Sequence, residues 1–209
     1  VAHYLMKHPE LMDNPLNPDY GHTGESHEHK PLGEHSSQLH VNDRGHPDIH
    51  PLYREIRHLL DSFGGSTPRV MIGEIHEWDP SLWAAYYGVS LDELHLPFNF
   101  GLLKTPWSRD ALAEHVATIE LVVPTGGWPN YVFGNHDEHR IVTRLGPERA
   151  RAVMMLLLTL RGTPTMYCAD ELGMENVVIP AEKEQDPWGI RVPGLGLGRR
   201  VYPYGPRPP

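Results

Sequence analysis

The sequence predicts an α/β protein whose four strand and helix units form half of a (β/α)8 barrel. Candidate strands begin near positions 70, 93, 131 and 165, with helical patterns between them. This spacing is typical of consecutive units in a parallel sheet, and an eight-unit barrel of about 250 residues averages about 31 residues per unit. A doubly wound sheet is the alternative architecture, but it normally carries a glycine-rich phosphate loop after its first strand. The sequence contains no such loop.

Three helices are predicted from apolar residues at helical spacing and from the residues at the helix ends. The first covers residues 49–63 and stops at Gly64, since glycine commonly ends a helix. Ser108 is the expected cap of the second helix, and Pro147 opens the third, which ends at Gly162. The segment 1–7 is expected to be the end of a further helix.

Four short apolar runs predict the strands. Arg69–Ile75 suits a buried parallel strand that ends in polar groups, and Glu93–Phe98, Tyr131–Gly134 and Thr165–Cys168 follow. Residues 1–199 are therefore interpreted as one folded unit with a long loop at about 14–50, and residues 200–209 as an irregular tail.

Composition and charge exclude several classes of partner. Lysine and arginine number 18 and acidic residues 27, so the net charge is −9, which opposes binding to nucleic acid or anionic lipid surfaces. The longest apolar run, 153–160, is far shorter than the roughly 18 residues of a membrane span. The single cysteine, Cys168, excludes an internal disulfide and fits a cytoplasmic protein.

The histidines raise the question of a metal site. The chain has 15 histidines, and several cluster in the long loop, but no cysteine is nearby and the spacing does not fix a tetrahedral ligand set. A solvated loop is the favoured interpretation of this cluster, which comprises His22, His27, His29, His35 and His40. No metal ligand and no cofactor is assigned.

Ionisable residues stand directly after two of the predicted strands. Glu74 follows the first strand, and Asn135, His136 and Asp137 follow the third. The carboxyl ends of barrel strands meet at one face, so these side chains are expected to converge there. Two carboxyls and a histidine suit general acid catalysis and charge stabilisation at a glycosidic bond. The alternative is that the acids cap helices or pair with arginines such as Arg140.

Longer motifs make this hypothesis specific. The runs 70–74 (VMIGE) and 128–137 (WPNYVFGNHD), with Arg140 three residues further on, resemble signature regions of family-13 glycoside hydrolases, in particular the α-glucosidase and oligo-1,6-glucosidase branch. Similar runs at 92–100, 158–164 and 185–188 extend the resemblance over most of residues 9–199. The resemblance implies a (β/α)8 barrel of which this chain is the second half, strands 5 to 8.

The resemblance also implies roles for individual residues. Glu74 matches the general acid/base, and Asp137 matches the carboxylate that grips sugar hydroxyls and stabilises the transition state. His136 matches the histidine that binds the same hydroxyls. Arg140 resembles an arginine near the reacting sugar, and Asn135 is expected at the substrate. Trp128 is a candidate for an aromatic contact at the edge of the site, and the alternative is an ordinary packing role.

The resemblance further implies what lies outside the chain. Similar sequences carry Gly-Phe-Arg-x-Asp just before a Val-Ala pair such as residues 1–2, and that aspartate is the nucleophile. The chain is therefore interpreted as a piece of a longer protein, inactive alone, whose partner is the upstream half of the barrel. Calcium, which some family members bind, has no assignable ligands here.

The expected function is that of a retaining α-glucosidase acting on terminal α-glucosidic bonds of small oligosaccharides. Two alternatives remain open. One is a transglycosylase or isomerase that forms or rearranges sucrose or trehalose, which would share the motifs and differ in how well the site excludes water. The other is a non-catalytic homologue that binds carbohydrate or a partner protein.

Overall fold

The computed structural model describes residues 2–18, 37–177, 180 and 183. The described helices are two 3-10 helices, Ala2–Tyr4 and Ala85–Tyr87, and six α-helices: α1 (Ile49–Ser62), α2 (Pro80–Ala84), α3 (Gly101–Lys104), α4 (Arg109–Val122), α5 (Ile141–Leu145) and α6 (Pro147–Thr159). The described strands are β1 (Ile72–Gly73), β2 (Leu96–Pro97), β3 (Asn130–Val132) and β4 (Thr163–Thr165).

The strands pair in parallel and in chain order. β1 pairs with β2 in the register Ile72 to Leu96, and β3 pairs with β4 in the register Asn130 to Thr163. A parallel bridge between Asn99 and Tyr131 joins the two pairs just beyond the end of β2. Because at least one helix separates each strand from the next, the arrangement has the strand and helix alternation that the sequence predicts.

β1 and β2 lie inside their predicted ranges but are shorter, while β3 begins one residue and β4 two residues earlier than predicted. The β4 ladder starts early because the Thr163 amide donates to the carbonyl of Pro129 at 2.8 Å, ahead of the first register pair. The chain then leaves the ladder after Thr165. The predicted continuation of this strand to Cys168 is therefore wrong.

The three predicted helices are confirmed as α1, α4 and α6. The Ser108 hydroxyl accepts a hydrogen bond from the Ala111 amide at 3.3 Å, which satisfies one of the free amides at the start of α4. Pro147 occupies the first turn of α6, where its missing N–H costs nothing. The helices α2, α3 and α5 have only four or five residues each, too few to show a helical period in the sequence.

The amino-terminal segment differs from the expectation of a helix end. Only Ala2–Tyr4 form a 3-10 turn. The Ala2 amide donates to the carbonyl of Glu74 at 3.2 Å, and the His3 carbonyl accepts from the Gly45 amide at 2.8 Å. These backbone groups bond to other segments of the chain, so they cannot serve a continuing helix.

One apolar core lies between the strands and the helices. It is formed by side chains from β3, from the ends of β1 and β2 and from the helices around them; its largest buried members are Trp83, Tyr87, Tyr131, Phe133, Ile49, Ile75, Leu94, Leu102, Ile119 and Leu157. A buried carboxylate, Glu93, joins α1 to the residues before β2 through a hydrogen bond with Nδ1 of His50 and an ion pair with Arg54, each at 2.8 Å. The core thus fixes β1 and β3, whose following residues form the candidate site.

The predicted long loop at 14–50 is described only at its two ends, where Leu16 and Gln38 form an isolated antiparallel bridge and α1 begins at Ile49. The remainder of that loop and the tail at 200–209 lie outside the described residues. None of the helices in the described part of the chain has the length and apolar character that a bilayer span demands.

Candidate active site

The structure brings together the two carboxylates that the sequence selects. Glu74 follows β1 directly, and Asp137 lies in the loop that follows β3. A carboxylate oxygen of each residue and a ring nitrogen of His76 all lie within 4.8 Å of one another. The two acids converge because parallel strands direct their carboxyl ends to the same edge of the sheet. Both side chains remain accessible to solvent, at 31% for Glu74 and 52% for Asp137.

Buried or half-buried groups behind the loop at 133–139 fix its shape. The side-chain oxygen of Asn135 accepts hydrogen bonds from the amides of Asp137 and Glu138, each at 3.0 Å. The half-buried guanidinium of Arg144 donates to the carbonyl of Phe133 before the loop turns and to the carbonyl of His139 after it, the latter at 2.9 Å. These contacts assign Asn135 to the turn itself. No pattern in the sequence marks Arg144 for this role.

His76 is the second residue that the sequence analysis missed. Its Nε2 lies 3.1 Å from Oε1 of Glu74. The imidazole stacks on Phe100 with a ring-centroid distance of 4.6 Å and an interplanar angle of 26°. Its backbone amide donates to Nδ1 of His3 at 3.3 Å. The side chain is thus held on one side by an aromatic ring while it contacts the candidate acid.

The pKa of Glu74 reflects these neighbours. Partial burial by itself raises the pKa, but the hydrogen bond from His76 and the nearby imidazoles of His76 and His136 act to lower the pKa below its ordinary value. Glu74 is therefore ionised at neutral pH in this structure, and its oxygens accept hydrogen bonds. A general acid must carry a proton when the substrate is bound, so the acid role requires that a proton enter the Glu74 and His76 pair first.

His136 lies at the solvent side of the site. It is 72% exposed, and its Nε2 lies 3.4 Å from Oδ1 of Asp137. The imidazole therefore lies beside Asp137 and is accessible to a ligand.

Arg140 is held by the segment after β4. Its guanidinium donates to the carbonyl of Cys168 at 2.7 Å and lies 4.8 Å from the centroid of the Tyr167 ring. The same group lies 3.7 Å from Oδ1 of Asp170, a buried carboxylate whose pKa is raised by burial. Asp170 also accepts from the Tyr167 amide at 3.2 Å. Arg140 and Asp170 therefore tie the loop after β3 to the segment after β4.

Trp128 lies at the opposite edge of the sheet from Glu74. It precedes β3, and its indole N–H donates to the hydroxyl of Thr163, the first residue of β4, at 3.1 Å. Since β3 separates Trp128 from Asn135, the structure does not bring this tryptophan to the carboxylates.

Trp78, and not Trp128, is the exposed tryptophan at the edge of the sheet where Glu74 lies. The indole is 44% exposed in the loop after β1. Lys104, at the end of α3, lies with its Nζ 5.8 Å from the Trp78 ring centroid and 3.3 Å from Oε1 of Glu138. The residues that follow β1, β2 and β3 thus meet through side chains beside the carboxylates.

Glu74, His76 and Asp137 are also the group that could surround a small divalent cation within the part of the chain that the structure describes. The mixed nitrogen and oxygen donors are of the type that zinc accepts. Of the clustered loop histidines, His40 is described, and its Nδ1 contacts Oδ1 of Asp43 at 3.0 Å. The other four histidines of that cluster lie outside the described residues.

Comparison with protein families identifies the wider group. Residues 17–192 match the model of the alpha amylase catalytic domain. The chain belongs to this alpha-amylase family. Enzymes of the alpha-amylase family have (β/α)8 barrels, so the parallel strands of this chain are strands of that fold class.

The relatives of this chain are named for different functions. An alpha-glucosidase from Apis mellifera is 30% identical over 99% of the chain, and an amino acid transporter heavy chain from Homo sapiens is 31% identical over 62% of it. A solved alpha-glucosyl transfer enzyme superimposes with a TM-score of 0.78 at 30% identity over 96% of the chain. The chain spans 33% and 20% of the two relatives and 38% of that structure.

Proposed function

We propose that this chain belongs to a retaining α-glucosidase-type glycoside hydrolase that acts on terminal α-glucosidic bonds of small oligosaccharides. The observation that carries the proposal is the convergence of Glu74 and Asp137 within 4.8 Å at the carboxyl ends of two barrel strands. Membership of the alpha-amylase family and the similarity to an alpha-glucosidase over 99% of the chain support it.

In this mechanism Glu74 moves the proton. It donates a proton to the glycosidic oxygen while the bond from that oxygen to the anomeric carbon breaks, and the bonding electron pair leaves with the oxygen. A carboxylate nucleophile forms a bond to the anomeric carbon on the other face. Glu74, now ionised, then takes a proton from water, and the resulting hydroxide equivalent displaces the nucleophile with overall retention. We propose that the nucleophile is an aspartate encoded directly before Val1.

Asp137 stays ionised and stabilises positive charge that develops on the sugar ring, while His136 beside it binds a sugar hydroxyl. The 3.4 Å contact between the two side chains supports a shared hydroxyl ligand. Asn135 shapes the loop that presents them, and Arg140 anchors that loop to the segment after β4. Trp128 lies at the opposite edge of the sheet and is given no substrate contact in this proposal.

The distance between Glu74 and Asp137 also permits Asp137 to be the nucleophile. Retaining enzymes place the acid/base and the nucleophile about 5–5.5 Å apart, and Glu74 and Asp137 come close to that separation. The sequence resemblance favours the upstream aspartate as nucleophile. The two assignments differ in whether azide rescues an Asp137→Asn variant.

A transglycosylase is the second candidate, and the superposition on an alpha-glucosyl transfer enzyme favours it. The same carboxylates serve both reactions, because a sugar hydroxyl replaces water as the acceptor in the second step. The similarity to an amino acid transporter heavy chain raises a binding role, which has no need of a proton donor. The convergence of Glu74 and Asp137 therefore favours an enzyme.

The test is product analysis with the protein expressed from its complete gene. It is incubated with maltose and, separately, with sucrose, and NMR spectroscopy follows the first product and its anomeric form. A retaining α-glucosidase releases α-glucose first from sucrose, whose other product is fructose. Maltose reports turnover only, because its reducing-end glucose is released as a mixture of anomers. Initial β-glucose from sucrose would refute retention, sugar isomers would favour the transglycosylase, and absence of turnover on both sugars would favour the binding homologue. A Glu74→Gln variant controls for contaminating glucosidase.

We also propose the finer organisation of the chain. The four described strands are taken as strands 5 to 8 of the barrel, and residues 1–199 as the second half of its catalytic domain, which the upstream half completes. The parallel chain-order pairing of the four strands supports this assignment. A cytoplasmic location is proposed because the single cysteine, Cys168, is exposed and unbridged.

A further inference from the structure

His76 makes three independent contacts that together fix its imidazole next to Glu74. The Nε2 atom meets Oε1 of Glu74 at 3.1 Å, and the ring stacks on Phe100, which is only 5% exposed. The backbone amide of His76 donates to the ring of His3, which is 2% exposed. His76 is therefore restrained by a hydrogen bond to Glu74, by the stack on Phe100 and by the backbone contact with His3.

The residues after His76 make the same loop rigid. The Glu77 carboxylate accepts from the amides of Trp78 and Asp79 at 2.9 and 3.1 Å, and the Asp79 carboxylate accepts from the first amides of α2. Such side-chain to backbone bonds select one loop conformation. These hydrogen bonds restrain the loop and thereby hold the imidazole of His76 next to Glu74.

We propose that His76 is a positioning residue for Glu74. Its Nε2–H donates to Oε1 and fixes the plane of the carboxyl group, so that the carboxyl is oriented toward the glycosidic oxygen before substrate binds. The proposal rests on the acid/base role of Glu74 proposed above. It adds a function for a residue that neither the motif nor the strand spacing selects.

The direction of this hydrogen bond follows from the state of Glu74. An ionised carboxylate has only acceptor oxygens, so the imidazole must be the donor. The stack on Phe100 then matters because it prevents the imidazole from rotating away. Misplacement of a reacting group by about 1 Å costs on the order of 10²-fold in rate, so a loss of this restraint is measurable.

Two substitutions separate the donor from the ring. His76→Phe keeps an aromatic ring for the Phe100 stack but removes the N–H, and His76→Gln supplies an N–H of similar reach without the ring. His58→Phe, at an exposed histidine of α1, is the matched control. The variants are made in the protein expressed from its complete gene, and kcat and KM are measured with an alkyl α-glucoside and with α-glucosyl fluoride.

His76→Phe is expected to lower kcat for the alkyl glucoside by roughly 10- to 100-fold, with KM unchanged. The fluoride, whose leaving group needs no proton, is expected to lose less than about threefold in its first step. His76→Gln is expected to recover part of the loss. Equal slowing of both substrates, or no recovery with glutamine, would overturn the proposal, because a merely structural defect slows all substrates alike.

A measurement without turnover separates this proposal from the proposed function. The imidazole ¹⁵N resonances of the chain are compared before and after Glu74→Ala, and the His76 resonances are expected to move while those of His58 stay. Unmoved His76 resonances would overturn the positioning role even in an active enzyme. An inactive parent protein with the His76 shift intact would refute the α-glucosidase function, and the catalytic part of the positioning role with it.

Discussion

Replacing Glu74 by glutamine tests the proton-donor role with little change of shape. The amide oxygen of glutamine can still accept the hydrogen bond that His76 gives to Oε1 at 3.1 Å. The 31% exposed side chain needs no repacking, since glutamine has the same number of heavy atoms. The substitution removes only the charge and the transferable proton.

The expected magnitude depends on the leaving group. For an alkyl α-glucoside, loss of general acid catalysis should lower kcat by about 10²–10⁴, which corresponds to about 3–5 kcal/mol of transition-state stabilisation. An α-glucosyl fluoride leaves without a proton, so its first step should be spared and a glucosyl-enzyme intermediate should accumulate. Azide needs no general base, and it should restore turnover by forming a glucosyl azide of retained configuration.

Asp137→Asn is the matched comparison, because it makes the same change of carboxylate to amide in the facing side chain. As a charge stabiliser, Asp137 should matter for good and poor leaving groups alike, and azide should not rescue its variant. If both variants showed the same leaving-group dependence, the division of roles between Glu74 and Asp137 would be refuted. If azide rescued Asp137→Asn and gave a glucosyl azide of inverted configuration, Asp137 would be the nucleophile.

Three further predictions concern the chain itself. The 209-residue chain alone should not hydrolyse p-nitrophenyl α-glucoside above the buffer rate, since the proposed nucleophile precedes Val1; turnover by purified chain would contradict this. The same chain should self-associate in light scattering, because Val70 and Ile72 at one end of the strand order and Met166 at the other are 56%, 54% and 43% exposed; a sharp monomer would count against it. Burial, with smaller contributions from the charges of the amino group, Arg44 and His76, lowers the pKa of His3 from 6.5 to about 3. Only the unfolded state then gains this proton as pH falls below 6.5, so the free energy of unfolding should fall by up to about 1.4 kcal/mol per pH unit toward pH 3. His3→Asn should flatten that slope in urea unfolding, and an unchanged slope would exclude His3 as its origin.

The parts of the fold that local chemistry determines could be predicted from the sequence. Ser108 caps α4 and Pro147 opens α6 as expected, because both effects involve only neighbouring backbone groups. The convergence of Glu74 and Asp137 was also predictable. It requires only that β1 and β3 are parallel and that both residues follow their strands.

The contacts that set side-chain roles could not be predicted in the same way. Arg144 donates hydrogen bonds to carbonyls at both ends of the loop after β3. Nothing in the neighbouring sequence indicates that its side chain makes these two contacts. The position of Arg140 near the sugar stays a prediction, and the contacts of its guanidinium with the segment after β4 have no marker in the sequence. Strand direction alone predicts that Trp128 lies away from the carboxylates, because a residue before a parallel strand lies at the edge opposite to the residues after it.

The candidate site combines accessible reacting groups with restraints that lie behind them. Glu74, Asp137 and His136 are 31%, 52% and 72% exposed, and a substrate can reach all three. Their positions are set by less exposed partners: Phe100 stacks on His76, and Arg144 donates into the loop that carries Asp137. A sugar can thus replace water around the reacting groups without disturbing the contacts that orient them. Preorganisation of this kind is what general acid catalysis and charge stabilisation require. The restraints on Glu74 and Asp137 therefore suit the proton-transfer and charge-stabilising roles that we propose for these two residues.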